Sequence, residues 1–242
     1  MIREFEGIIV SVTPYGESSK ILNILTSDAG IIGVMAKGAK KIKSKFRSST
    51  EKFTLGIFSV YYHEGKLSTL IQADILNPLV NIKTDIVKIG YLTYLCELAY
   101  QTSKQNNDNT IYSILKSAIL KIEEGLNPEI ITNIVELKML DYLGVKIDLD
   151  RCIKCGSTSD IITISGDAGG YLCKNCRINE PIYDVKTIKM FRLYYYVILD
   201  SITDLKISDE VADNINKIMS DYYDRYTGLY LKSKEFLKSI TY

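Results

Sequence analysis

Histidine is almost absent from this sequence: there is one residue, His63, in 242. It stands at a strand end beside Glu64-Gly65, the setting of a surface hairpin, and no Ser-His-Asp or Cys-His arrangement assembles around it. Phosphate-cradling loops of the GxxxxGKS type and the GxGxxG fingerprint are also missing. Glu123-Glu124 reads as a solvated carboxylate pair at a helix end. No catalytic constellation remains, so the chain is not expected to be an enzyme. Long apolar runs are lacking too: stretches such as Tyr194 to Leu199 fall far short of the roughly 20 residues that span a bilayer. No charged leader precedes a signal-like core, and a cytoplasmic protein is expected. With 46% hydrophobic and 24% charged residues and no repeat, disorder, collagen and coiled coil are excluded. A strong charge excess is the last absence. Thirty basic residues against 29 acidic leave a formal +1, which as an average argues against nucleic acid.

What is present divides by period. Glu4 to Val12 alternates around Phe5, Ile8, Val10 and Val12, and Pro14-Tyr15-Gly16 breaks the pattern. Ile21 to Leu25 and Ile31 to Met35 flank Asp28-Ala29-Gly30, and Thr54 to His63 and Lys66 to Asp74 flank Glu64-Gly65. Five short strands in about 75 residues close most economically into an antiparallel barrel such as the OB type. After Asn77-Pro78 the period turns helical, first around Ile86, Ile89, Leu92 and Cys96, then from Ile111 to Ile122. Asn127-Pro128 sets a cap with proline at the first helical position, which predicts a helix over 128–143 ended by Gly144. Helices resume near Val185, run from Ser208 to Tyr226, and close with Leu229 to Ile240. The fold class is α+β. Residues 1–80 form an OB-fold nucleic-acid-binding domain, and residues 81–242 a helical domain with an inserted module at about 150–180. The clustered tyrosines 194–196 and 222–223 fall on alternating helix faces and read as core and rim. Cys96 lies on an apolar helix face and reads as buried core.

The inserted module carries the strongest local signal. Cys152-Ile-Lys-Cys155 and Cys173-Lys-Asn-Cys176 are two CxxC knuckles with 17 residues between them. Each knuckle turns two thiolates to one side of a tight loop, so four sulfurs can surround one Zn2+. Lys154 and Lys174 offset the charge of four thiolates, and Gly156 relieves the backbone. A site filled by sulfur has no open position, so the zinc is structural. Stable disulfides are not expected of a cytoplasmic protein.

The charge is unevenly placed. Residues 37–52 hold seven basic side chains, Lys37, Lys40, Lys41, Lys43, Lys45, Arg47 and Lys52, against Glu51, a net +6. The other 226 residues therefore carry −5. This segment follows the third strand as a long loop on the barrel's edge, kept mobile by Gly38 and its serines. Its lysines can neutralise phosphates, and Ile42 and Phe46 either anchor it or stack a base. Lys20 and Arg3 are further candidates from neighbouring strands.

Glu6-Gly7-Ile8-Ile9-Val10 leading to Pro14-Tyr15-Gly16-Glu17-Ser18-Ser19, then Gly30 and Ala36-Lys37-Gly38-Ala39-Lys40-Lys41, resembles the opening of the bacterial RecO recombination mediators. Phe53-Thr54-Leu55, Leu67-Ser68-Thr69-Leu70, Leu137 to Gly144, the paired knuckles and Leu231 to Leu237 extend the resemblance, in order, over nearly the whole chain. It implies an N-terminal OB fold and a helical C-terminal domain enclosing a zinc module. It also implies a non-enzymatic DNA repair function: binding single- and double-stranded DNA, annealing complementary strands, and loading RecA on coated DNA with RecR and the single-stranded DNA-binding protein. Lys40, Lys41 and Lys234 stand where the family often has arginine, which keeps phosphate attraction and loses the bidentate fork. Glu235 replaces a common basic residue and argues against DNA contact by the final helix. Two rivals stand beside this reading: an RNA-binding OB protein with a structural zinc site, and a zinc enzyme or redox protein, which the closed four-thiolate set disfavours.

Overall fold

A computed structural model describes residues 1–145 and 147–241. Five strands, β1 (Ile2–Tyr15), β2 (Ser19–Thr26), β3 (Gly30–Ala36), β4 (Leu55–Tyr61) and β5 (Ser68–Asn77), form a closed barrel in the order β1-β2-β3-β5-β4. This is the five-stranded barrel expected of residues 1–80. Closure depends on the length of β1, which pairs with β4 from Ile2 to Ile8 and with β2 from Gly7 to Tyr15. A register shift between Ile9 and Ser11 turns it from one neighbour to the other. Pro14 does not end this strand; it pairs with Lys20. By that point β1 has left β4, so a residue without an N–H breaks no ladder on the far edge. Phe5, Ile9, Leu22, Ile24, Val34, Phe58, Val60 and Leu70 fill the interior. Gly56 is required where β4 crosses β5, since a β-carbon there would lie 2.5 Å from the Asp74 carbonyl oxygen.

Contacts divide the chain into two compact units, and the first is larger than the barrel. It comprises Met1–Gly125 and the residues from Leu231 onward. Residue 80 marks the change of period, but the helices after it pack with the barrel and take their last member from the far end of the sequence. These are α1 (Val80–Lys83), α2 (Ile86–Gln105), α3 (Thr110–Glu123) and α7 (Lys232–Thr241). Asp85 caps α2 by accepting from the Val87 and Lys88 amides. Glu123 is not a solvated carboxylate: it accepts from the amides of Asn81 at 3.0 Å and Ile82 at 2.9 Å, satisfying the start of α1. Glu6 of β1 ties the barrel to α3, accepting from Tyr112 Oη at 2.7 Å and Lys116 Nζ at 2.5 Å. Glu97 of α2 accepts from the Lys232 and Ser233 amides and so caps α7. Farther along, Leu237 and Ile240 close onto Gly90, where a β-carbon would meet Ile240 at 2.2 Å.

The second unit is Leu126–Tyr230. Its central helix α4 (Pro128–Tyr142) starts at the expected Asn127 cap and ends before Gly144, whose φ is +75°. Helices α5 (Val185–Tyr196) and α6 (Asp209–Tyr222) pack on α4, and β6 (Ile161–Ser165) pairs with β7 (Gly170–Cys173) as an antiparallel hairpin. Tyr194, Tyr222 and Tyr223 are buried and Tyr196 is exposed, the division expected of the tyrosine clusters. The hydroxyl of Tyr222 donates to the Ser165 carbonyl, holding the hairpin to α6, and that of Tyr223 donates to the Glu136 carbonyl of α4.

Candidate nucleic-acid interface and metal centre

The basic segment between β3 and β4 is fixed to the barrel. This departs from the mobile loop expected of its glycine and serines. Its entry is held to the β1–β2 turn, because the Lys40 amide donates to the Ser18 carbonyl at 2.8 Å and the Gly38 amide to Ser19 Oγ at 3.2 Å. Its interior is a run of short turns, with Lys41 donating to Gly38, Ser44 to Lys41 and Arg47 to Ser44. Its exit is stitched to β1 by bonds from the Phe53 amide to the Ile9 carbonyl and from the Ile9 amide to the Thr54 carbonyl. Phe53 takes a left-handed φ of +73° to make that return. Ala39 and Thr50 are fully buried, and Phe46 is half-buried against the barrel core.

Lys37, Lys40, Lys41, Lys43, Lys45 and Arg47 are all exposed on this scaffold. Among the described residues none of the six is paired with a carboxylate. Lys40 Nζ donates to the Gly16 carbonyl and Lys45 Nζ to the Ile71 carbonyl, at 3.2 and 3.3 Å, which leaves both charges uncompensated. The two outlying candidates are placed differently. Lys20 reaches the segment but its ammonium lies 2.7 Å from Glu51 and its side chain is only 12% exposed. Arg3 stacks over Phe5 and Tyr62 and pairs with Asp28 at 3.1 Å. Asp28 is in the β2–β3 turn, so Arg3 sits at the opposite end of that hairpin, roughly 20 Å of strand from the segment. Sequence reasoning found the cations and missed their supports. The signal was the interruption of the charges by Ala39, Phe46, Thr50 and Phe53, which are the residues that turn inward.

His63 is exposed at the β4–β5 hairpin, as its sequence setting implied, and Cys96 is fully buried. Burial pushes the Cys96 thiol up to about 12.

The four module cysteines come together. All four Sγ atoms lie within 4.8 Å of one another, and those of Cys155 and Cys173 are 3.7 Å apart. Four sulfurs held tetrahedrally at about 2.3 Å from one ion are about 3.8 Å apart, whereas a disulfide needs about 2.05 Å. The cluster therefore fits a metal and not a bridge. Each knuckle is closed by its backbone: the Gly156 amide donates to the Cys152 carbonyl and the Arg177 amide to the Cys173 carbonyl. Burial opposes charge on Cys152, but the backbone amides of Cys173, Cys155 and Lys154 bring its thiol down to about 6. Cys176 moves the other way, to about 12, because Cys155 and then burial hold its proton. Four thiols this close cannot all ionise against one another, and a divalent cation is what lets them.

Two family models cover most of the chain. Residues 1–79 match the recombination protein O N-terminal model and residues 83–235 the recombination protein O C-terminal model. The DNA repair protein RecO of Listeria monocytogenes serotype 4a is 35% identical over 242 residues, covering 97% of this chain and 93% of that relative. The protein of the same name from Halalkalibacterium halodurans is 32% identical, covering 99% of this chain and 96% of the relative. That of Bacillus pumilus is also 32% identical, over 99% and 95%.

Proposed function

This chain belongs to the recombination protein O family of DNA repair proteins, and from that membership we propose that its basic segment is the surface on which it binds and anneals DNA. One observation carries the reading: six exposed cations without carboxylate partners, on a backbone pinned to a closed barrel. Cations held in place bind phosphates without the ordering cost of a free loop. Lysines supply charge without reading sequence, which suits a protein that must accept any strand, single or double. Annealing requires that two polyanions be screened while their base edges stay free. A ridge of point charges on phosphates does that. Lys37, Lys40, Lys41, Lys43, Lys45 and Arg47 are the principal contacts, and Lys20 and Arg3, already engaged by acids, contribute less. The net −5 elsewhere leaves other surfaces to proteins: RecR, the single-stranded DNA-binding protein, and through them the loading of RecA in the cytoplasm. The protein performs no bond-making chemistry of its own.

One structural Zn2+ completes this reading, held by Cys152, Cys155, Cys173 and Cys176. When bound it supplies charge neutralisation and a cross-link between the two knuckles, with no position left for substrate. Metal analysis of protein purified without chelator is expected to find one zinc per chain.

Binding to a labelled single strand across a salt series tests the interface. Neutralising about five phosphates gives a slope of log K against log salt near −3.5. Changing Lys40, Lys41 and Lys43 together to Glu is expected to abolish both binding and annealing of complementary oligonucleotides. Unchanged affinity would remove the segment from the interface, and competition by RNA of equal length separates a DNA protein from an RNA-binding one.

A further inference from the structure

We infer that Ile42 is a wedge that inserts between neighbouring bases of the bound strand, so that the basic segment unstacks DNA as well as holding its phosphates. The inference rests on the DNA-binding reading above and deepens it.

The sequence offers two apolar side chains among the cations, and the structure separates them. Phe46 is half-buried against the barrel interior, and Lys45 Nζ lies 4.8 Å from its ring centroid, so it serves as an anchor. Ile42 is 84% exposed, the most exposed large hydrophobic side chain among the described residues. It is a central residue of the turn closed by the Ser44-to-Lys41 amide bond, which follows directly on the turn closed by the Lys41-to-Gly38 bond. Lys40, Lys41 and Lys43, all exposed, surround it in the chain.

An exposed aliphatic side chain within a run of exposed lysines is badly matched to a neutral or basic protein surface. Its partner must offer dense negative charge and, within reach of that charge, apolar faces to receive the isoleucine. Single-stranded and distorted double-stranded DNA do both, since phosphates flank every base and each base has two apolar faces. Isoleucine is among the residues that part base steps in this way. The fixed backbone matters, because a wedge on a freely moving loop would yield instead of the stack. Parting the stack also suits annealing: an unstacked base presents its pairing edge to an incoming complement.

The test uses the full-length protein and single strands carrying 2-aminopurine, whose fluorescence is quenched by stacking. The unaltered protein is expected to bind with a rise in fluorescence. Ile42→Ala should lose most of that rise and bind about tenfold more weakly, the effect of withdrawing one aliphatic side chain from an apolar contact. Its salt slope should remain near that of the unaltered protein, because no cation has changed. Ile42→Met, another apolar wedge, should recover the rise. Ile42 is exposed, so thermal unfolding of the alanine variant should be unaltered, which separates the effect from misfolding. If the unaltered protein binds and brightens the probe and Ile42→Ala does the same with equal affinity, the wedge is refuted and Ile42 faces a protein partner. If the unaltered protein does not bind DNA, the interface and the wedge fall together.

Discussion

Single residues decide several properties of the first unit. Lys116 and then Tyr112 donate to the charged form of Glu6 and hold its carboxyl below the usual range. A carboxyl with a lowered folded-state pKa stabilises the fold fully above its unfolded value of about 4.3, and that contribution disappears as pH falls through the lower folded value. Thermal melts from pH 7 to 3 should therefore show a shallower acid decline for Glu6→Gln than for the unaltered protein, from a lower starting point at pH 7. Cys96, its thiol raised to about 12 inside α2, should resist alkylation at pH 8 in the native state and react once denaturant is added; labelling with and without guanidinium checks this. Its burial was legible in sequence because its neighbours repeat at helical spacing. The role of Glu123 was not, because the amides it satisfies belong to Asn81 and Ile82, on another element, and short-range patterns carry no trace of such a pairing.

At the scale of elements, what local sequence encodes and what folding adds separate cleanly. The hairpin turns, the Asn127-Pro128 cap and the knuckles were readable because turn, cap and ligand chemistry act within a few residues. The fixed state of the basic segment was not, since its stitches run to Ser18, Ser19 and Ile9 on other strands. Composition alone suggests mobility, and tertiary hydrogen bonds override it. The module has a comparable dependence on close backbone approach. Gly170 of β7 lies against Asp148, where a β-carbon would fall 2.2 Å from the carbonyl oxygen. Gly170→Ala should push that strand away and, in protein loaded with the zinc proposed above, raise the rate of metal release to a chromogenic chelator. Removal of the proposed zinc from the unaltered protein should speed amide exchange in β6 and β7. The barrel strands, with a core of their own, should keep their protection.

For the molecule as a whole, the formal +1 is the sum of a +6 segment and a −5 remainder, so on the proposed reading the salt response of DNA binding should follow the segment, not the average. The organisation of the chain was only half visible in sequence. The change of period near residue 80 is real, yet the first unit recruits three helices beyond it and a fourth from the far end. That attachment is specific: Glu97 caps α7, and Gly90 admits Leu237 and Ile240. Ending the chain after Tyr230 should strip this cover from α2 and cost the first unit at least about 3 kcal/mol, a fall in Tm of roughly 10 °C by calorimetry. The same attachment sets an order of events on the ribosome. The barrel is translated first, but its unit is finished only when the closing helix emerges, after every residue of the second unit has been made. A chain released before α7 would carry an intact basic segment on a body with an uncovered apolar seam, the kind of surface that chaperones and proteases bind. The position of α7 thus ties the stability of the first unit to residues that are made only after the whole second unit.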